Sequence, residues 1–166
     1  MPVDSYKYIP LNWRKDHEAA PMKRASTIWT PLQTPLPEAR LALLTTAGVY
    51  LSGTQESFDL EGERRNPTWG DPGYRVIPRG AQQAQMDFAH LHINTRDHHQ
   101  DFNIALPLDR FAELESEGRI GRLADDHYSV MGFQSDDGAA WKQETLPEIT
   151  RRMKAAEVDA LVLAPA

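Results

Sequence analysis

The stretch AHLHINTRDHHQD, residues 89–101, holds four of the six histidines of this 166-residue chain. On a strand, side chains alternate between faces, so Phe88, His90, His92 and Asn94 would share one face and Ala89, Leu91 and Ile93 the other. The His90 and His92 imidazoles would then stand about 6.5–7 Å apart at Cα, a spacing that can chelate a divalent transition metal. Asp97, His98, His99 or Asp101 could close such a site from the following loop. The alternative is that His90 and His92 are hydrogen-bonded polar residues at a strand end, with His98 and His99 solvated. Spacing alone leaves both open.

Thr45, Thr46 and Gly48 offer hydroxyls and amides that could hold a small anion where a first strand ends, or they form a simple strand-to-loop turn. Tyr74 and Arg75 in DPGYRVIPR could grip a carboxylate, because a guanidinium makes a planar two-pronged bond to it; a surface arginine is the other reading. No GxGxxG or GxxxxGK[ST] motif occurs, and no GxSxG-like turn surrounds Ser129 or any other serine. The sequence has no cysteine, which excludes disulfides, zinc thiolates and a cysteine nucleophile from these residues.

These groups need elements to position them. Arg40 to Gly48 reads as a central strand, YRVIP at 74–78 as a strand-like piece within a long loop from Ser52 to Arg79, and Met86 to Ile93, Tyr128 to Phe133 and VDALVLAPA (158–166) as further strands. PLDRFAELESEGRIG predicts a helix with Leu108, Phe111 and Leu114 on one face and Gly118 at its C-terminus. TLPEITRRMKAAEV predicts a second, with Thr145 and Glu148 as a capping box and Leu146, Ile149, Met153 and Ala156 as its apolar stripe. Strands alternating with helices imply an α/β domain: a small parallel sheet, flavodoxin- or Rossmann-like, with right-handed helical crossovers.

Residues 1–39 read differently. The first forty residues hold six of the twelve prolines and two of the four tryptophans and show no sustained period. They predict an extended N-terminal arm with one short helix around residues 11–18, pinned by Tyr6, Tyr8, Trp13, Ile28 and Trp29; residues 40–166 form the domain. The net charge of −6, from 18 basic and 24 acidic residues, argues against nucleic acid or an anionic membrane as the main partner. The amino terminus has no apolar core segment and no stretch approaches a membrane span, so a cytoplasmic location is expected.

Taken together, WTPLQTPLPEARLALLTTAGVYL, DPGYRVIPR, the His90–Asn94 segment, DFNIALPLDRFAELESEGRIGRL, HYSVMGFQ and ETLPEITRRMKAAEVDALVLAPA resemble the selenoprotein B family of glycine, sarcosine, betaine and D-proline reductases, particularly its short single-domain members. The likeness runs from about Trp29 to Ala166. It implies reductive cleavage of a carbon–nitrogen bond in a small amino acid or N-methylated amine. In the residues it matches, Arg75 would bind the substrate carboxylate and Thr45 and Thr46 would orient it. His90 would be the general acid toward the departing amine, and Asp101 and Asn103 would organise the loop before the helix. Asn94 stands where the family tends to have aspartate, and His92 is an additional imidazole.

The family places a selenocysteine, with a nearby cysteine, directly after the strand that DALVLAPA matches. Two expectations follow. Either translation has stopped at a UGA codon and the native protein continues through the selenol, or the stop is genuine and the selenol or thiol comes from a second polypeptide. A non-catalytic or ligand-binding subunit, and a metal enzyme using His90 and His92, are the alternatives to a reductase. A sheet ending at a bare strand also predicts self-association.

Overall fold

The computed structural model describes Leu11 and residues 30–66, 69–91, 93–134 and 138–166. The chain divides into two compact units, Met1–Pro31 and Leu32–Ala166. Of the first, only Leu11, Thr30 and Pro31 are among the described residues, so the expected helix over 11–18 and its aromatic anchors lie outside them.

The second unit is a small α/β domain built on β1 (Arg40–Thr45), whose run RLALLT is buried on both faces as a central strand requires. β7 (Ala160–Ala164) pairs parallel along one side of β1. Along the other side run β5 (Arg122–Leu123) and β6 (Asp126–Val130), both parallel to it. β3 (Tyr74–Pro78) adds to β6 antiparallel, so the sheet is mostly rather than wholly parallel. A separate two-stranded ribbon joins β2 (Val49–Leu51) to β4 (Met86–Phe88).

Alternation along these strands splits the core into two layers. Leu43, Ile77, Leu123 and Val162 face Phe102, Leu106, Leu108 and Phe111, on and just before α3 (Leu108–Ser116). Ala42, Leu44, Tyr128, Val130 and Leu161 face Ile149 and Met153 of α4 (Leu146–Ala155). Helices thus cover both faces, as a buried parallel sheet demands.

The ladder between β1 and β5/β6 is interrupted. Leu41 pairs with Leu123 but Leu44 pairs with Tyr128, so three steps on β1 match five on its neighbour. Ala124 donates to the Leu41 carbonyl at 2.8 Å, and an unbroken ladder would next bring the Leu43 amide to the Ala124 carbonyl. Instead Leu43 N–H donates to Nδ1 of His127 at 3.0 Å. A fully buried imidazole thus stands in for a backbone acceptor, while on the other side the Arg79 amide donates to the Asp125 carbonyl at 2.9 Å, just past the β3–β6 ladder.

Three expectations need correction. β4 stops at Phe88, because its partner β2 begins only at Val49 and the last rung is Ala89 N–H to the Gly48 carbonyl at 2.9 Å. Strand alternation therefore does not govern His90, Leu91, Ile93 and Asn94. Asn94 instead caps α2 (Thr95–His98), its side chain accepting from the Arg96 amide at 3.1 Å, and His92 lies outside the described residues. The second correction is the Thr145–Glu148 capping box. Thr145 has helical dihedrals and makes no cap bond, because a π-helical turn (Trp141–Thr145) runs straight into α4. Pro147 explains the widened turn: it has no amide for the Gln143 carbonyl and its ring crowds that carbonyl, so the turn before it opens to the Leu146 N–H to Trp141 C=O pattern. Thr145 Oγ1 donates to the Pro72 carbonyl instead. Third, the loop from Ser52 holds a short helix, α1 (Leu60–Arg65), capped by Asp59, whose side chain accepts from the Gly62 amide at 2.8 Å.

Gly118 ends α3 as the sequence predicts. At φ +67° it lets Arg119 N–H reach the Leu114 carbonyl at 2.9 Å, the double-bonded helix stop. α4 closes in the same way, Val158 N–H meeting the Met153 carbonyl at 3.0 Å, but with Glu157 in the left-handed position at φ +51°.

Candidate active site

Three parallel strands bring their carboxyl ends to one rim, the usual place for chemistry in an open α/β sheet. Thr46 is its junction. Its amide donates to the Ala164 carbonyl at 3.3 Å, and its hydroxyl accepts from the Ala166 amide at 2.9 Å, fastening the residues after β7 to the end of β1. Gly132, just past β6, packs against the Thr46 side chain, where an added Cβ would stand 3.3 Å from the Thr46 Cβ.

Gly48 then turns the chain with φ +63°. A Cβ there would lie 2.3 Å from the Ala89 carbonyl oxygen and 2.7 Å from Met131 Sδ, so β1, β6 and the end of β4 meet where only glycine fits. His90 follows Ala89 directly and is half-buried beside this junction. The rim therefore gathers Thr45, Thr46, the Ala89–His90 segment, Met131–Gly132 and Ala164–Ala166.

Thr45 is buried, and its Oγ1 accepts from the Ala47 amide at 3.2 Å. It pairs across the ladder with Ser129, which in turn pairs with Arg75 of β3, a polar row on one face of three strands. Ser129 is fully buried, and its hydroxyl has no hydrogen-bond partner among the described residues. Strand alternation in DHYSV puts His127 and Ser129 on one face and Tyr128 and Val130 on the other. The row below carries His127, whose pKa falls from 6.5 to about 4 chiefly because burial penalises the charged ring, with the Arg79 guanidinium adding to it. The Ala124 carbonyl and Asp125 oppose the shift without offsetting it. A ring accepting through Nδ1 is neutral and carries its proton on Nε2.

Arg75 is heavily engaged. It donates to the carbonyls of Glu56 (2.7 Å), Ser57 (3.0 Å) and Tyr74 (3.0 Å), and its guanidinium lies 4.3 Å from the Phe58 ring centroid. Tyr74, its neighbour on the strand, points to the opposite face, where its hydroxyl accepts from Arg152 Nε at 3.1 Å. The two therefore do not converge on one ligand group.

Asp101, Asn103 and Asn94 belong to the segment between β4 and α3. Asp101 Oδ1 accepts from the Asn103 amide at 3.0 Å and its Nδ2 at 2.8 Å, and these bonds hold its carboxyl below the ordinary carboxylate range. Asn103 also donates to Asp109 Oδ2 and accepts from the Asp109 amide, tying the segment to the first turn of α3. His98 and His99 meet the Phe88 ring edge-on, each at 5.3 Å, and their carbonyls accept from Gln83 Nε2. Among the described residues no group of three or more histidine, aspartate or glutamate side chains is placed to hold a metal.

Beside Thr46 opens an apolar cleft of about 330 Å³ between β7 and the helical layer, walled by Leu44, Leu161, Leu163, Trp141, Leu146 and Pro165. Leu163 is 65 % exposed and Leu146 37 %, so one side is open. The buried Trp141 indole N–H has no acceptor among the described residues. No described helix is long and apolar enough to cross a membrane.

The family model described as Glycine/sarcosine/betaine reductase selenoprotein B matches residues 19–166. D-proline reductase subunit gamma of Acetoanaerobium sticklandii is 34% identical over 136 residues, 82% of this chain and 52% of that one. Glycine reductase complex component B subunit gamma of Carboxydothermus hydrogenoformans is 27% identical over 128 residues, 77% of this chain and 28% of that one. The chain thus spans about half the length of the first relative and little more than a quarter of the second. No solved structure matches it. A match over nearly the whole chain, with the ordered α/β unit inside it, means that the chain belongs to the glycine/sarcosine/betaine reductase selenoprotein B family.

Proposed function

We propose that this chain is a subunit of a cytoplasmic reductase complex that cleaves a carbon–nitrogen bond in a small amino acid or N-methylated amine, with the reaction at the rim around Thr46. The observation that carries the reading is the junction itself, where the ends of β1, β6 and β7 meet the segment bearing His90. Two electrons are required, and with no cysteine in these 166 residues they come from a thiol or selenol outside them. The residues here do the rest. Thr46 and the amides at the strand ends orient the substrate, and the cleft beside Thr46 takes its apolar part, favouring a ring or N-alkyl group over unsubstituted glycine. As a thiolate or selenolate from outside these residues bonds to the carbon, the C–N bond breaks with its electron pair going to nitrogen, and a His90 imidazolium supplies the proton; a second thiol then takes the sulfur or selenium off as a disulfide or selenenyl sulfide, leaving the electron pair on carbon, which is protonated. Thr45 and Ser129 back the rim from within, Asp101 and Asn103 hold the loop ahead of α3, and Arg75, with Tyr74 behind it, fixes the 56–58 loop from which it can present a remaining N–H to a carboxylate. Asn94 sets where the chain turns after His90. A metal bridging His90 and His92 is not part of this mechanism.

The test is binding followed by turnover. Glycine, sarcosine, betaine and D-proline are titrated against the chain by calorimetry, then amine release is measured after a thiol- or selenol-bearing partner subunit is added. Saturable binding that weakens at least ~10-fold in Thr46→Val supports the reading, since about one hydrogen bond is lost. No binding of any of the four well above the ~1 mM upper range of ordinary KM values refutes it.

A further inference from the structure

The outer edge of β7 has no strand beside it among the described residues, because β7 pairs only with β1. Its polar groups can be assigned. The Ala164 carbonyl faces β1, where it accepts from Thr46, so alternation turns the amides and carbonyls of Leu161 and Leu163 outward. Those four groups match their own image. If a second copy of β7 lies antiparallel across a two-fold axis at Val162, Leu161 stands opposite Leu163 of the second copy, and Leu163 opposite its Leu161. Each such pair exchanges both hydrogen bonds, giving four bonds that use every outward group of the two leucines in both copies. Pro165, which has no amide, ends the ladder just past them.

Side chains agree with the backbone. The strand ALVLA carries no charge, so nothing repels across the axis. Leu161 and Leu163 lie on the face of the apolar cleft, and Leu163, 65 % exposed in one copy, would be covered by Leu161 of the other. An exposed, uncharged edge strand is what proteins otherwise avoid leaving open. We propose that two copies of this chain join edge to edge through β7, making one continuous sheet and closing the open side of the cleft beside Thr46 in each copy. This inference is independent of the reaction assigned above.

The test is the mass of the full chain in solution. Sedimentation velocity is run over a range of concentrations on the wild type and on Leu163→Pro, which deletes an outward amide that β1 does not use. The expected result is twice the mass of one chain for the wild type and a dissociation constant raised on the order of 10- to 100-fold in the variant, for two of four hydrogen bonds lost. Circular dichroism reports whether Leu163→Pro keeps its fold; if it does not, Leu163→Lys, which places charge on the edge without touching the backbone, decides instead. A single-chain mass for the wild type at every concentration overturns the proposal. So does a dimer that the folded variant leaves intact, since its contact would lie elsewhere.

Discussion

His127 makes the stability of this fold depend on pH in a way that can be isolated. Its imidazole is buried within the β1–β6 ladder and accepts the Leu43 amide, which only the neutral ring can do. A pKa lowered from 6.5 to about 4 means that the unfolded chain binds a proton between those values while the native chain does not. Stability is therefore full above pH 6.5 and falls as pH drops below it, by roughly 2 kcal/mol near pH 5 and about 3 kcal/mol once pH 4 is reached. Carboxylates whose pKa values are lowered in the fold, such as Asp101 and Asp159, lose their contribution further down, which makes the interval from about pH 7.5 to about pH 5 the informative one. The comparison is urea unfolding of wild type and His127→Asn at both ends of that interval. Asparagine cannot titrate, yet its Oδ1 can take the Leu43 amide, so it should be the less pH-sensitive protein by about 2 kcal/mol. His127→Leu, which leaves that amide without an acceptor, should lose about 1–3 kcal/mol at neutral pH. Equal pH dependence in wild type and His127→Asn, or an NMR titration of His127 near 6.5, would refute the reasoning.

Two further outcomes follow from backbone geometry. Glu157→Gly should raise stability by about 0.5–1 kcal/mol, because glycine removes the left-handed strain at the end of α4 and only an exposed contact with Arg40 is lost; thermal unfolding measures it. Gly48→Ala should cost about 3 kcal/mol or more, since its Cβ would meet the Ala89 carbonyl and Met131, and should shift the amide NMR signals of His90 together with those of Thr46; an unperturbed variant would mean that the rim is looser than described.

What could be read from the sequence was whatever a local pattern decides. Strand β1 shows as an apolar run, α3 as a spaced stripe stopped at Gly118, and β7 as ALVLA, because each buries a face that its own residues define. Strand β4 is shorter than its sequence pattern because pairing depends on a partner, and the turn at Gly48 leaves β2 only three residues to offer. The start of α4 was misplaced because a cap needs non-helical dihedrals at Thr145, and nothing in AAWKQE breaks the helix before it. For the site the division is the same. Thr45 and Thr46 fall at the end of a legible strand, so their place on the rim could be anticipated. Arg75 and Tyr74 are adjacent in sequence and opposite in space, as strand alternation requires.

His127 and Ser129 stayed hidden for a different reason. Their role depends on a two-residue mismatch between β1 and its neighbour, which no single strand records. The mismatch has a structural consequence for the rim. A regular ladder would set Thr45 opposite His127; the inserted residues move Ser129 there and send the imidazole back to fill the missing rung. The carboxyl end of β1 thus faces a small hydroxyl rather than a ring, and the end of β6 is held back by two residues, so that Met131 stands opposite Ala47 instead of two positions beyond it, with Gly132 against Thr46. The buried histidine that makes the fold acid-sensitive is, on this account, the same device that brings the end of β6 to the candidate site.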